Sequence, residues 1–426
     1  MKDDCEGMRK QGFWWDAAPD GQMDMLRQSA LSCRLDQVIR GMLYVYMFSL
    51  PFSGLLFVER NGFIVLIVLM ATWCGVNQRH FFCRTPVDLP LAAFVLWVGI
   101  SVPFSASPTY SFGELAKLLQ QSLVFYWVVF FFQSPRRKLR IMAMFLGVLI
   151  AVSLYGVLQF DPSPTRKYYF IPSFLGSEVA LTTFLMTSLP LAVAAAVYGQ
   201  EPWLRRVGAS AVPLVVVCQL LTFSRAGMLA LFVEAIVLAV LVRRRLITVM
   251  VGIVLIVSLS GAGVLLYVGS QNELSFIPVK TKLTTYNLVS RWKAWELGFE
   301  KVLEYPVFGV GYGKNMFQQV SQANLDHDAE IPMAGGTHNT LLDITVGAGV
   351  PAGLAYLWLM WTIGRIGLTQ FHVTQESIEK IWSLALFLMV IGLFARNCFD
   401  HMWVGSLAVI FWVMVGMAVR PAPSRV

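Results

Sequence analysis

Long apolar segments recur along most of this chain and constrain its fold more than any other feature. A helix of about 20 apolar residues spans a bilayer, and inside lipid only helices and closed barrels satisfy their backbone hydrogen bonds. Hydrophobic residues make up 57% of the 426 residues and charged residues 14%, a composition that excludes an ordinary water-soluble fold. The sequence therefore predicts an all-α, polytopic integral membrane protein with about twelve transmembrane helices. The predicted segments run approximately Gly41–Val58, Gly62–Val76, Asp88–Phe104, Glu114–Gln133, Leu139–Phe160, Phe174–Tyr198, Val207–Leu221, Ala226–Val242, Leu246–Gly269, Asn339–Gly364, Ile381–Phe394 and Met402–Val419.

Basic residues are distributed unequally between alternate loops, and this inequality predicts an orientation. Cytoplasmic loops carry the excess of Lys and Arg in multi-pass proteins. One face carries Arg79, Arg84, Arg136, Arg137, Lys138, Arg140, Arg205, Arg206, Arg243, Arg244, Arg245, Arg365, Lys380, Arg420 and Arg425. The short loops of the other face carry only Arg60, Arg166, Lys167, Arg225 and Arg396. We therefore predict that both termini are cytoplasmic.

This orientation predicts five regions. They are a cytoplasmic segment over 1–40, helices one to nine over 41–269, an external loop over 270–338, helices ten to twelve over 339–419 and a cytoplasmic tail over 420–426. The net charge of +8 follows largely from the cytoplasmic loops. No basic stretch is interleaved with base-stacking aromatics, so we expect no nucleic-acid partner.

The one long hydrophilic segment, about Ser270–His338, contains apolar residues at helical spacing. Its pattern predicts an amphipathic helix that lies on the membrane or covers a cavity. The apolar residues are Trp292, Trp295, Phe299, Val302 and Leu303, opposite Lys293, Glu300, Lys301 and Glu304. Gly309–Gly313 has the spacing of a dinucleotide-binding loop, but it follows no predicted strand, so we interpret it as a turn.

Positive charges at the external ends of the spans are rare here, and three arginines indicate a phosphate site. Arg225 stands in a tight turn between spans, Arg396 ends another span, and Arg291 is expected to open the amphipathic helix, where a helix N-terminus attracts anions. The alternatives for each are interfacial contact with lipid phosphate or a structural ion pair. Lys117 is placed about one turn inside the external end of the fourth span.

His338 lies where the long loop meets the tenth span, in Gly335-Gly336-Thr337-His338-Asn339-Thr340. A neutral imidazole at this boundary can accept a proton, although a lone histidine is more often a packed or capping residue. His327 stands between two aspartates, a pattern that is more often solvated loop than metal site, and no cysteine pair has metal-ligand spacing. We expect no metal.

Three motifs in order resemble the O-antigen ligase (WaaL) and Wzy polymerase superfamily. They are Arg291-Trp292-Lys293-Ala294-Trp295, then Tyr305-Pro306-Val307-Phe308-Gly309-Val310-Gly311-Tyr312-Gly313, then His338-Asn339 leading to Gly349. The resemblance covers about Thr222–Gly353. It implies a GT-C-type glycosyltransferase of the bacterial inner membrane with a periplasmic site. By motif position, Arg225 corresponds to the family's arginine after the seventh span, Arg291 to the arginine of its long loop and His338 to its essential histidine.

The resemblance also implies substrates and a mechanism. The donor is an O-antigen glycan on undecaprenyl pyrophosphate, and in ligases the acceptor is the lipid A–core oligosaccharide. Arg225 and Arg291, with Arg396 added from its position at the end of a span, would stabilise the departing pyrophosphate by charge and forked hydrogen bonds. His338 would take the acceptor proton in one inverting displacement, without ATP, metal or other cofactor. Trp295, Asn339, Asp343 and Lys117 are expected to support the site.

The chain departs from the family pattern at one position. Members often carry a glutamate about nine positions after the histidine, and Gly347 stands there. Asp343 is the nearby carboxylate, and it either orients the imidazole or is a polar residue on the inner face of the bundle. A Wzy-type polymerase, a protein O-oligosaccharyltransferase and, in another class, a transporter of lipid-linked glycan remain alternatives, although transporters usually place functional charges near the bilayer midplane.

Overall fold

A computed structural model describes residues 20–160, 171–222, 224–242, 252, 278–314, 316, 317, 320, 336–399 and 405–421. These residues form twelve α-helices and no strands, which confirms the all-α class. Two units separate within the chain, residues 1–82 and 83–426.

The first unit contains two helices that pack against each other, α1 (Asp20–Ser49) and α2 (Leu56–Asn77). Trp73 donates its indole N–H to Asp36 at 2.6 Å, and Ser32 donates to Asn77 at 2.6 Å. The predicted span Gly41–Val58 is wrong at its end, because the chain turns after Ser49. Pro51 lies in that turn, where it lacks an N–H and disfavours helix at the preceding residue.

The second unit contains ten helices in the described part of the chain. They are α3 (Asp88–Ser101), α4 (Pro108–Phe131), α5 (Pro135–Leu158), α6 (Glu178–Tyr198), α7 (Pro202–Leu221), α8 (Arg225–Val242), α9 (Pro278–Glu304), α10 (Thr340–Val373), α11 (Ser377–Asn397) and α12 (Gly405–Ala418). Helix α11 lies centrally, since it packs on α6, α8, α10 and α12.

Seven helices of the described residues are long and apolar enough to cross a membrane. They are α2 with the 3-10 turn before it, α5, α6, α7, α8, α10 and α11, while α3 and α12 are shorter apolar helices. The predicted segments overlap α1–α8 and α10–α12, and the ninth, Leu246–Gly269, lies outside the described residues apart from residue 252. The polytopic membrane class is thereby confirmed.

Contacts between helix ends define two ends of the second unit. At one end, which we call the site end, Arg396 of α11 donates to the carbonyl of Val179 in α6 at 3.3 Å, and Thr340 of α10 donates to Asn397 of α11 at 3.2 Å. Gly227 of α8 lies against Gln219 at the end of α7. The starts of α6, α8 and α10 therefore meet the ends of α7 and α11 here.

The opposite end, which we call the basic end, is joined by a buried ion pair. Lys138 of α5 contacts Glu379 of α11 at 2.8 Å, and Arg420, after α12, lies 3.6 Å from the same carboxylate. The chain segments that meet at this end also carry Arg136, Arg137, Arg140, Arg205, Arg206 and Lys380. Part of the basic set used for the orientation thus lies together at one end of the second unit.

Helix α10 is kinked at Gly349, whose φ is 85°. Pro351 has no N–H, so the carbonyl of Gly347 loses its helical partner. The N–H groups of Val310 and Gly311 donate to the carbonyls of Val346 and Gly347, each at 2.8 Å. The segment 306–311 therefore lies along the kink and satisfies the backbone that the kink exposes.

The segment 306–311 lies so close to the backbone of α10 that α10 requires glycine at the contact. A Cβ on Gly349 would lie 1.9 Å from the carbonyl oxygen of Val307, and one on Gly347 would lie 3.0 Å from that of Gly311. At position 347, where members of the resembled family often have glutamate, the backbone of Gly311 leaves little room for a side chain. The residues Gly309–Gly313, predicted as a turn, bend with positive φ at Gly309, Gly311 and Gly313, and the segment bonds to α10 at Val310 and Gly311.

Candidate functional site

The residue at the centre of the candidate site is His338, just before α10 at the site end. Its side chain is half-buried, and its backbone is left-handed with φ of 52°. This conformation is disfavoured for a residue with a Cβ, by roughly 1–2 kcal/mol. It persists where surrounding contacts fix the backbone. The neighbours of His338 supply those contacts.

Asn339 and Asp343 fix the chain on the C-terminal side of His338. The Asn339 side chain caps α10 by accepting from the N–H of Leu342 at 3.1 Å, an arrangement typical of helix N-termini. Asp343, in the first turn, accepts from the backbone N–H of Thr337 at 3.0 Å and from its hydroxyl at 2.7 Å. These bonds join Asp343 to the residue before the histidine, and its role in orienting the imidazole stays a prediction.

Trp295 fixes the chain on the other side, from α9. Its indole N–H donates to the carbonyl of Thr337 at 2.8 Å. A small core holds α9 against α10 and the segment between them. It contains Ala294, Val310, Met316, Phe317, Leu342 and Val346. The loop that carries His338 is therefore held by α9 and α10 together.

The amphipathic helix exists as predicted, but it is longer and has two apolar faces. One face packs on α10 through Ala294 and Gly298, and the other exposes Trp292 (69%), Phe299 (61%) and Leu303 (82%). The expectation that Arg291 opens the helix is wrong. Helix α9 begins at Pro278, so Arg291 is half-buried within it and receives no charge effect from its N-terminus.

Arg225 occupies the position that was predicted for Arg291. It is the first residue of α8, exposed at the site end, and the N–H of Gly227 donates to the hydroxyl of Ser224 at 3.3 Å. A helix N-terminus carries a partial positive charge, which adds to that of the guanidinium. The positive potential at the start of α8 is thus due to both backbone and side chain.

Arg396 lies inside the bundle, not on its surface. Only 1% of the residue is exposed, and its guanidinium donates to the carbonyl of Val179 across the α11–α6 contact. The next residue, Asn397, accepts from Thr340 of α10 and donates to the hydroxyl of Tyr356 at 3.0 Å. These contacts favour a structural role for Arg396 at the junction of α6, α10 and α11.

Lys117 lies further from the start of its helix than expected, because α4 begins at Pro108 and not near Glu114. Its exposed side chain pairs with Glu114 at 2.6 Å. Glu114 in turn lies against Gly313. Burial raises the pKa of Tyr312, and the charge of Glu114 raises it further, so the phenol stays neutral and can donate a hydrogen bond. Tyr312 and Glu114 were not foreseen from the sequence.

Thr337 is the most informative residue that sequence reasoning missed. It is fully buried and bonded to both Trp295 and Asp343, yet a threonine before a histidine has no spacing signal of its own. The side chains brought together at the start of α10 are thus those of Trp295, Thr337, His338, Asn339 and Asp343. Among the described residues no group of three His, Cys, Asp or Glu could hold a metal ion, and His327 lies outside them.

The fold and the site define a class of protein. It is a polytopic helical membrane protein whose second unit has a histidine loop and an exposed arginine at one end and a group of basic side chains around a buried ion pair at the other. Residues 208–357 match the family model for O-antigen ligase (Wzy_C), a family of membrane glycosyltransferase-like ligases and polymerases. The match confirms the resemblance over these residues, and they include Arg225, Arg291 and His338. No match is found among curated proteins.

Proposed function

We propose that this chain is an O-antigen ligase of the bacterial inner membrane. It transfers glycan from undecaprenyl pyrophosphate to a hydroxyl of the lipid A–core oligosaccharide, with inversion and on the periplasmic face. The main support is the O-antigen ligase match, within which His338 and Arg225 both lie at the site end, opposite the basic end. By the positive-inside rule the basic end is cytoplasmic, which puts the site end in the periplasm.

His338 acts as the general base in this proposal. It takes the proton of the acceptor hydroxyl as the oxygen attacks the anomeric carbon and the bond to the pyrophosphate breaks. A positioned base contributes typically 10²–10⁴-fold to such a step. The fixed backbone around His338 supports this role, because general-base catalysis requires the imidazole within hydrogen-bond reach of the acceptor.

Arg225 and Arg291 bind the pyrophosphate and stabilise the charge that develops on it as it leaves. Guanidinium groups suit this role because they stay charged and donate two parallel hydrogen bonds to phosphate oxygens. Arg396 supports the site from within the bundle. The donor is already an activated glycosyl pyrophosphate, so neither ATP nor a nucleotide sugar enters, and metal independence stays a prediction.

A gene deletion analysed by lipopolysaccharide gel tests this function. For a ligase, the deletion strain loses the O-antigen ladder and accumulates polymerised glycan on its lipid carrier, and the wild-type gene restores the ladder. A core that bears a single repeat would assign the chain as a polymerase instead. An unchanged ladder would contradict both, and loss of glycosylation on a protein would indicate a protein O-oligosaccharyltransferase.

A further inference from the structure

Thr337 lies fully buried between two helices and is bonded on every polar side. Its carbonyl accepts from Trp295 of α9 at 2.8 Å, and its N–H donates to Asp343 of α10 at 3.0 Å. Its hydroxyl lies 2.7 Å from the Asp343 carboxylate and 3.0 Å from the carbonyl of Asn339. A hydroxyl has one proton, and the shorter bond to the charged carboxylate is the stronger one.

These bonds act on the backbone of the next residue. His338 is left-handed, and such a conformation persists when contacts on both sides fix it. Thr337 provides the fixed point on the N-terminal side, and Asn339 provides the other through the α10 cap. The direction of the imidazole therefore depends on where Thr337 is held.

Helix α9 contacts the same residue directly. A Cβ on Gly298 would lie 3.3 Å from the Thr337 methyl group and 3.0 Å from Leu342, so α9 has no space to move towards the loop. With the indole bond from Trp295, this contact makes the position of α9 a determinant of the position of Thr337.

We propose that Thr337 is a positioning residue for His338, clamped between Trp295 of α9 and Asp343 of α10. The proposal rests on the proposed function, because it assigns Thr337 to the reaction that His338 serves. Asp343 and Trp295 act through Thr337, and neither is required to touch substrate.

Substitution of Thr337 separates positioning from packing. Thr337→Val keeps the shape and removes the hydroxyl, and Thr337→Ser keeps the hydroxyl. The full-length protein is purified in nanodiscs and assayed with undecaprenyl-pyrophosphate-linked glycan and lipid A–core. Displacements of about 1 Å at a reacting group cost up to roughly 100-fold in rate. We expect Thr337→Val to lower kcat by roughly 10- to 100-fold, with KM for the donor and the shape of the pH profile unchanged, and Thr337→Ser to restore most of the rate.

Two further variants complete the design. Thr345→Val is the matched control and should keep the wild-type rate. Among the bonds described, the Thr345 hydroxyl donates only to the carbonyl of Leu341 in its own helix, at 2.8 Å. Trp295→Phe removes the other bond and should also lower kcat. If Thr337→Val keeps the wild-type kcat while His338→Ala is inactive, the clamp is overturned and the proposed function stands. Full activity in His338→Ala would overturn the proposed function. A loss of kcat in Thr337→Val that Thr337→Ser does not recover would assign Thr337 to packing and also overturn the clamp.

Discussion

At the scale of single residues, the arginines of the site end differ in what surrounds them. Arg225 is exposed at the start of α8 and Arg291 is half-buried within α9, whereas Arg396 is buried against a backbone carbonyl. The exposed side chain of Arg225 is accessible to a substrate from outside the bundle. A buried arginine that holds two helices together cannot be removed without disturbing the fold.

Alanine substitutions should separate these roles. Arg225→Ala and Arg291→Ala should each abolish or severely reduce transfer while protein abundance stays normal, and lysine should restore little because it loses the forked geometry. Arg396→Ala should instead lower abundance or thermal stability in detergent. Transfer assays and immunoblots of the same membranes measure both effects. Arg206→Ala, at the basic end, is the control and should be neutral. Full activity in Arg291→Lys would mean that only the charge of Arg291 matters.

At this scale the ordered motifs of the sequence contain Arg291 and His338, and the scarcity of external positive charge led to Arg225 and Arg291. The roles of all three stay predictions. The sequence could not identify Thr337, because its role depends on bonds to residues 42 positions before it and 6 positions after it. Glu114 was predicted only as the start of a span, because no local sequence pattern indicates that α4 lies close to Gly313.

At the scale of elements, the kink in α10 organises the site end. It leaves carbonyl groups without helical partners, and the segment 306–311 donates to them through Val310 and Gly311. The same segment lies beside the loop before α4, since Ala106 donates to the carbonyl of Val310 at 2.9 Å. The kink therefore connects α10 both to this loop and, through the small core, to α9.

Two substitutions test the kink. Gly349→Ala should destabilise the protein strongly, since alanine disfavours a φ of 85° and its Cβ would overlap the carbonyl of Val307. Gly347→Ala should cost less, about 1–3 kcal/mol, because the neighbouring segment needs to shift by only a few tenths of an ångström. Gly147→Ala in α5, where the added methyl meets open space, is the control. Thermal unfolding in detergent measures the order of stability of the three variants. Equal melting temperatures for all three would contradict the role given to the kink.

Long apolar segments predicted the existence of most helices, because a helix that crosses lipid must be apolar over its length. The segments did not predict where the helices end. The first span ends early because Pro51 starts a turn, and α9 begins 13 residues before Arg291, where the apolar pattern is weak. The kink was also missed, since Gly349 and Pro351 show their effect only when another segment supplies the lost hydrogen bonds.

At the scale of the whole molecule, the separation of charge between the two ends predicts the orientation. Reporter fusions after Lys138, Arg206 and Arg244 should give cytoplasmic signals, and fusions between Gln271 and Gly336 should give periplasmic ones. A periplasmic signal at Arg244 would invert the molecule and place His338 in the cytoplasm.

The central claim is that His338 removes the acceptor proton in glycan transfer from undecaprenyl pyrophosphate to lipid A–core. Its most direct test is the transfer rate of the purified, full-length chain in EDTA, wild type beside His338→Gln. Glutamine can hydrogen-bond but cannot take up the proton, so we predict product from the wild type and a rate about 10²–10⁴-fold lower for the variant, with donor binding intact. Equal rates for the two proteins, or no transfer by the wild type until a divalent cation is added, would contradict the account.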